Sequence, residues 1–305
     1  MVETGDPALE ALDALAVLGD RPRTVEELSG GLTNRNLKVT SATGTHVVRC
    51  SRSDTELLGI DRDAEHANSR AAEAAGVGAP VLEYRPELSM LVIGYIDGIT
   101  YDNHNFQVDG VVERAARACR QLHTGPAFVN EFDMFARQQR YLRIVRERGF
   151  ALPPRYETFT DDFARMRTAL TVRAEPLVPC NNDLLAGNFI DDGDKLWLID
   201  YEYSGNNDAC FELGNISTEC DLTAEQLEEL VTAYFERPLR NKIARTRLQA
   251  IASQYGWSLW GVIQDATSPL DFDFHAWSME RYERAAAAFT STSFDTLLEE
   301  VQRDD

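Results

Sequence analysis

Apolar residues follow two different rhythms along the chain, and the change falls near residue 97. Before it, short β-rich runs dominate. Leu37-Lys38-Val39 and His46-Val47-Val48-Arg49, parted by the turn sequence Ser41-Ala42-Thr43-Gly44, predict a hairpin. Val81–Tyr84 and Met90–Ile96 predict two further strands. Asp6-Pro7 before ALEALDALAVLG reads as an N-capped helix with Pro at its first position and Gly19 past its end. Residues 62–75, rich in Ala, Glu and Arg and stopped by Gly76, predict a second helix. From about residue 108 the spacing becomes helical, over 109–123, 134–149 and 158–173. A β island interrupts it, where Asn188-Phe189-Ile190 and Leu196-Trp197-Leu198-Ile199 flank the turn Asp191-Asp192-Gly193-Asp194. Helices resume near 208 and continue to the end. The outline is an α+β chain with a sheet-rich lobe, residues 1–97, and a larger helical lobe, residues 98–305, with a ligand crevice expected between them.

Composition narrows the class. The 305 residues are 44% hydrophobic and 26% charged, which is globular rather than disordered. No apolar run approaches the ~18 residues needed to cross a bilayer. The first twenty residues carry Glu3, Asp6, Glu10 and Asp13 without a basic flank, unlike a secretory signal. A cytoplasmic protein, monomeric or homodimeric, is expected. The net charge of −20 argues against nucleic acid as a partner and fits either simple solubility or a cationic ligand. The five cysteines form no C-x-x-C pair and suit reduced core thiols.

The stretch with the most chemistry is Cys180-Asn181-Asn182-Asp183-Leu184-Leu185-Ala186-Gly187-Asn188, followed after the predicted hairpin by Leu198-Ile199-Asp200-Tyr201-Glu202. It reads D-x-x-x-x-N on a loop, with a hairpin that returns a second aspartate to the asparagine. Phosphoryl transfer from ATP needs a carboxylate to orient and deprotonate the incoming hydroxyl, and oxygen ligands for Mg²⁺ at the phosphates. Asp183 suits the first role, Asn188 and Asp200 the second. A solvated Asn/Asp turn is the alternative for D-x-x-x-x-N alone.

These strings resemble the choline/ethanolamine kinase family, especially its bacterial members, within the protein-kinase-like group that includes aminoglycoside phosphotransferases. The resemblance implies a two-lobed fold with a five-stranded antiparallel small lobe and one main helix in it. It also implies roles for residues outside the central motif. Ser29-Gly30-Gly31-Leu32-Thr33-Asn34 is similar to the family's phosphate-covering loop, which makes Gly30, Gly31, Thr33 and Asn34 nucleotide-binding residues. Arg49 matches the basic residue that contacts phosphates, and Glu65 its ion-pair partner. Gly94-Tyr95-Ile96-Asp97-Gly98 resembles the interlobe linker, with Tyr95 and Ile96 at the adenine. His123 is expected to be a packing or capping histidine. Where most relatives carry histidine before the loop's Asn-Asp, this chain has Asn181, a departure that bears on rate.

Three of the four tryptophans, Trp257, Trp260 and Trp277, fall within 21 residues. Trp257 and Trp260 share a helix face at i and i+3, and core packing is the ordinary fate of such residues. The resemblance implies more, because W-x-x-W-x-x-x-Q with an aromatic thirteen residues after Gln264 is similar to the family's choline-binding segment. Glu219 matches its acidic residue near the cation. Aromatic faces attract a quaternary ammonium through their quadrupoles. The expected activity is therefore ATP- and Mg²⁺-dependent phosphorylation of choline. Ethanolamine, an aminoglycoside or another amino alcohol are alternative acceptors, and a quaternary-amine-binding pseudokinase is the alternative class.

Overall fold

Residues 6–28, 31–51 and 57–305 are described by the computed structural model; Ser29 and Gly30 lie outside the described residues. Strands β1 (Thr24–Leu28), β2 (Asn34–Ser41), β3 (Gly44–Ser51), β4 (Val81–Arg85) and β5 (Met90–Gly94) form one antiparallel sheet in the order β1-β2-β3-β5-β4. Alternation sets its inner face. Leu37, Val39 and Val48 are buried with Met90 and Val92 of β5, and Leu12, Leu15 and Leu18 close the core from the N-terminal segment. That segment departs from the single helix predicted for it. Helix α1 runs only Pro7–Ala11, capped by the Asp6 carboxylate on Ala8 N at 2.9 Å, and two 3₁₀ turns, 12–14 and 16–18, follow. Leucines three apart at 12, 15 and 18 all face the sheet when the chain makes three residues per turn, which an α-helix at 3.6 does not achieve. Helix α2 (Arg62–Ala74), capped by Asp61, turns Glu65 and Asn68 inward. Strand β5 ends at Gly94, two residues before the predicted end, where Gly94 N bonds Pro80 O at 2.8 Å.

The chain leaves this sheet through residues 95–98 and enters the next one at once. Strand β6 (Ile99–Thr100) pairs with β8 (Phe189–Asp191), which pairs with β9 (Leu196–Leu198), so the segment after the linker forms the edge of the predicted hairpin. Strands β7 (Leu177–Cys180) and β10 (Gly205–Asp208) form a two-stranded ribbon on either side of residues 181–204. Helices α3 (Val111–His123), α6 (Ala209–Glu219) and α7 (Ala224–Phe235) pack behind this hairpin around Phe189, Leu198, Leu213 and Ile216. A second core joins α4 (Met134–Arg148), α5 (Thr160–Val172), α8 (Arg240–Thr267), α9 (Phe274–Thr290) and α10 (Ser293–Glu300). Helix α8, 28 residues long, is enclosed along most of its length. Helix α9 runs antiparallel to it, with the closest approach at Gly261, where a Cβ would lie 2.7 Å from Ser278 Cβ and 2.9 Å from Trp277 Cε3. No helix is long and apolar enough to cross a membrane among the described residues. All five cysteines are unpaired and four are buried.

Asp191 ties the linker side to the hairpin. Its carboxylate accepts from Arg114 Nη1 and Nη2 at 2.5 and 2.7 Å and from the Tyr101 hydroxyl at 2.7 Å. Arg114 hydrogen bonding, against some burial, holds the Asp191 carboxyl well below the ordinary carboxylate range. Asp191→Asn is expected to lower unfolding free energy by about 1–2 kcal/mol at neutral pH, read by denaturant titration. Because the folded value is depressed, the loss is full above about pH 4 and shrinks as acid protonates the native carboxylate too. An unchanged midpoint at pH 7 would refute this role.

Candidate active site

The loop from β7 is held from behind by one buried carboxylate. Glu212, in the first turn of α6 and fully buried, accepts from Asn181 N at 2.8 Å and Asn182 N at 2.6 Å, one on each oxygen. Asn181 extends the brace forward: its Nδ2 donates to Ile199 O at 3.0 Å and Asp200 O at 2.9 Å, and its Oδ1 accepts from Asp183 N at 3.1 Å. One amide thus ties the segment bearing Asp183 to the segment bearing Asp200, so the expected bracing survives the replacement of histidine. Asn182 and Asp200 both adopt left-handed φ, 68° and 65°, a conformation short polar side chains tolerate best. His123 is buried, with Nδ1 2.7 Å from the Tyr234 hydroxyl and Nε2 3.5 Å from Cys180 Sγ, a packing histidine as expected.

At the front of the loop, Asn188 Nδ2 donates to Asp183 O at 2.7 Å, which leaves its amide oxygen for a ligand. Asp183 is half-buried in the cavity wall. Burial first, and then the charges of Asp200, Glu219 and Glu202, push its carboxyl well above the ordinary range, with Arg281 opposing. Arg49 of β3 stands 3.1 Å from Glu65 Oε1, and its Nη2 lies 2.5 Å from Asp200 Oδ1 and 3.2 Å from Glu202 Oε2. Burial disfavours the Arg49 charge, and the surrounding carboxylates of Asp200, Glu65 and Glu202 more than offset that. Glu202 also accepts from two side chains at the start of β2: Thr33 Oγ1 donates to it at 2.6 Å and Asn34 Nδ2 at 2.7 Å. Gly31 permits this fold of the loop, because a Cβ there would collide with Asn34 O.

The aromatic end is built by α8, α9 and the turn after Asp200. Trp260 and Trp277 have ring centroids 5.0 Å apart. Trp257 meets Tyr203 edge-on at 4.9 Å, and Trp260 Nε1 donates to the Tyr203 hydroxyl at 2.8 Å. Glu219 is paired with Arg281, whose Nε is 3.1 Å from Oε1 while a terminal nitrogen bonds Oε2. The guanidinium carbon lies 3.5 Å over the Trp277 ring.

One cavity of about 510 Å³ collects Gly31, Thr33, Asp183, Asn188 and Asp200 at one end and Glu219, Trp257, Trp260 and Trp277 at the other. Arg49 and Glu65 line a small adjoining recess that shares Asp200. Asn34 reaches the site through Glu202. Tyr95 and Ile96 line neither space; the Tyr95 N–H is donated to Thr45 O at 3.3 Å and Lys38 sits over the Tyr95 ring. Gly30 lies outside the described residues.

Residues 25–234 match the family model described as choline/ethanolamine kinase. The chain belongs to the choline/ethanolamine kinase family. The solved structure of a choline/ethanolamine kinase family protein from Mesorhizobium loti superposes with a TM-score of 0.86 at 32% identity, covering 97% of this chain and 98% of that one. Rat ethanolamine kinase 2 is 28% identical over 75% of this chain, which spans 66% of the rat protein's length. Choline kinase LicA from Streptococcus pneumoniae shares the fold, with a TM-score of 0.74 at 24% identity over 87% of this chain and 93% of that one. This family member therefore has the two-lobed, protein-kinase-like fold that its motifs predicted.

Three residues of this family member's site were not assigned from the sequence. Glu202 stands in the quoted Ile199-Asp200-Tyr201-Glu202 string, and its proximity to Asp200 was the available signal. Arg281 follows Trp277 by four positions, the spacing at which helical side chains meet. Glu212 had no local signal, because its partners lie about thirty residues away. Glu212→Ala would leave two buried loop N–H groups unpaired, at about 1–3 kcal/mol each. A loss of roughly 2–5 kcal/mol in thermal or denaturant unfolding is expected, and a loss below 1 kcal/mol would show that the loop does not depend on this brace.

Proposed function

We propose that the protein transfers the γ-phosphoryl group of ATP to the hydroxyl of choline, giving phosphocholine and ADP. The observation that carries this reading is the sharing of one cavity by Asp183, Asn188 and Asp200 at one end and three tryptophans at the other. An enzyme that joins an alcohol on a weakly hydrated cation to a metal-bound phosphate needs both ends within reach of each other.

The donor set at the lobe junction is fit for Mg²⁺. Asn188 has its amide nitrogen committed to Asp183 O, so oxygen is what it offers, and Asp200 contributes a carboxylate. A hard ion of this size takes one or two such ligands and leaves the rest to water and phosphate. Bound there, Mg²⁺ would neutralise charge on the phosphate oxygens during transfer. In this reading Arg49, oriented by Glu65, meets the phosphates, and the 30–34 loop covers them through Gly30, Gly31, Thr33 and Asn34. Tyr95 and Ile96 of the linker are the residues offered to the adenine. Asp183 holds the acceptor hydroxyl and takes its proton as the alcohol oxygen bonds to the γ-phosphorus and the bond to the β-phosphate breaks. Trp257, Trp260 and Trp277 present indole surface to the trimethylammonium group, with Glu219, paired to Arg281, beside them.

Ethanolamine is the second acceptor, favoured by the likeness to ethanolamine kinases. A coupled ADP-release assay over choline, dimethylaminoethanol, ethanolamine and an aminoglycoside decides between them. Choline is expected to give the highest kcat/KM, and a higher value for a primary amine would overturn the choice. Binding of choline with no ADP release at any Mg²⁺ concentration would instead favour the pseudokinase reading. Asp183→Asn is expected to lower kcat by about 10²–10⁴ while leaving ATP binding within a few-fold; loss of ATP binding would show the role to be misassigned.

A further inference from the structure

The acceptor end of the cavity already contains a cation. Arg281 reaches both oxygens of Glu219 and lays its guanidinium carbon 3.5 Å over the Trp277 ring. The pair is well covered, with side-chain exposure of 15% for Arg281 and 8% for Glu219. The carboxylate and one indole face that would greet a substrate ammonium are thus taken up by the protein itself. The remaining polar groups from α8 do not replace them. Trp257 Nε1 is a buried donor with no partner, and Trp260 Nε1 is committed to the Tyr203 hydroxyl.

A primary ammonium brings three N–H donors and a strong hydration shell, and it must find acceptors when it enters. A fully alkylated ammonium has no N–H and is satisfied by apolar and aromatic surface. Within the amino-alcohol reading given above, on which this inference rests, we propose that Arg281 is a specificity-determining residue. By occupying Glu219 and a face of Trp277 it withholds the carboxylate nearest the tryptophans from primary ammonium groups and leaves that end of the lining better suited to quaternary ones. Removing the guanidinium frees the carboxylate. Both cations then gain Coulomb attraction, but only the one with N–H groups gains charge-assisted hydrogen bonds, each worth roughly ten- to a hundredfold in affinity.

The test compares wild type, Arg281→Met, Arg281→Lys and Arg281→Met/Glu219→Gln in the ADP-release assay at saturating MgATP, with KM and kcat taken separately for choline and ethanolamine. In Arg281→Met the ethanolamine KM is expected to fall tenfold or more relative to the choline KM, with the ATP KM unchanged. Arg281→Lys, which keeps the charge beside Glu219, should stay within about threefold of the wild-type ratio, and the double variant should lose the gain. A choline-to-ethanolamine ratio within twofold of wild type in Arg281→Met, or an equal loss for both acceptors, overturns the proposal. Should Arg281→Met not fold, Glu219→Gln alone decides. Less than a threefold change in the ratio supports a carboxylate already engaged by Arg281, and a larger selective loss of ethanolamine overturns it. If no amino alcohol is phosphorylated by the wild type, the functional reading itself falls. Tryptophan-fluorescence titration with tetramethylammonium and methylammonium then tests Arg281 separately: a tenfold relative gain for methylammonium in Arg281→Met supports the role, and an unchanged ratio ends it.

Discussion

A guanidinium removed from water is costly, by several kcal/mol, unless carboxylates surround it with good geometry. Arg49 satisfies that condition with Glu65 from its own lobe and with Asp200 and Glu202 from the other. The same contact that makes its burial tolerable therefore joins the two lobes and fixes the side chains beside the 181–188 loop. Glu202 is shared further with Arg62, Thr33 and Asn34, so these side chains, Arg49 and Asp200 form one electrostatic unit. Carboxylates outnumber cations around the cavity, and burial first, then neighbouring carboxylates, pushes the Asp183 and Glu202 carboxyls above the ordinary range. An ATP-linked divalent cation would find there what a solvated surface does not offer: fixed oxygen donors whose mutual repulsion Arg49 relieves only in part.

The placement of Asp183 depends on how the backbone N–H groups around it are held. Glu212 and Asn181 between them satisfy the loop's N–H groups and tie it to residues 199 and 200. This permits two non-glycine residues, Asn182 and Asp200, to sit in the left-handed region without the loop relaxing. Asn181 shows how an amide braces this loop. An amide has one acceptor and two donors at the distance required, and all three are used.

At the opposite end of the cavity, packing and chemistry are the same feature. Trp260 and Trp277 are brought together by the close crossing of α8 and α9 at Gly261. The tryptophans are at once core residues, as their spacing ordinarily implies, and lining residues, as the family resemblance implied. Arg281 adds a planar cation to that lining and lowers the charge that Glu219 presents.

The alternation of β2 and β3, the Asp191–Asp194 turn, the helix starts and the D-x-x-x-x-N string were legible because each is written within about ten consecutive residues and follows local backbone and side-chain periodicity. The family resemblance extended this to Arg49, Glu65 and the tryptophans. The N-terminal segment was misread as one helix because its caps are local while its leucine spacing answers to a sheet elsewhere. Local pattern thus determined the elements, their order and the presence of a phosphoryl-transfer motif. Only the tertiary structure decided which charge meets which: Glu212 under the loop, Glu202 over the phosphate loop, Arg281 on Glu219. Ion pairing and desolvation depend on distance through space, and separations of thirty to 170 residues leave no trace of them along the chain.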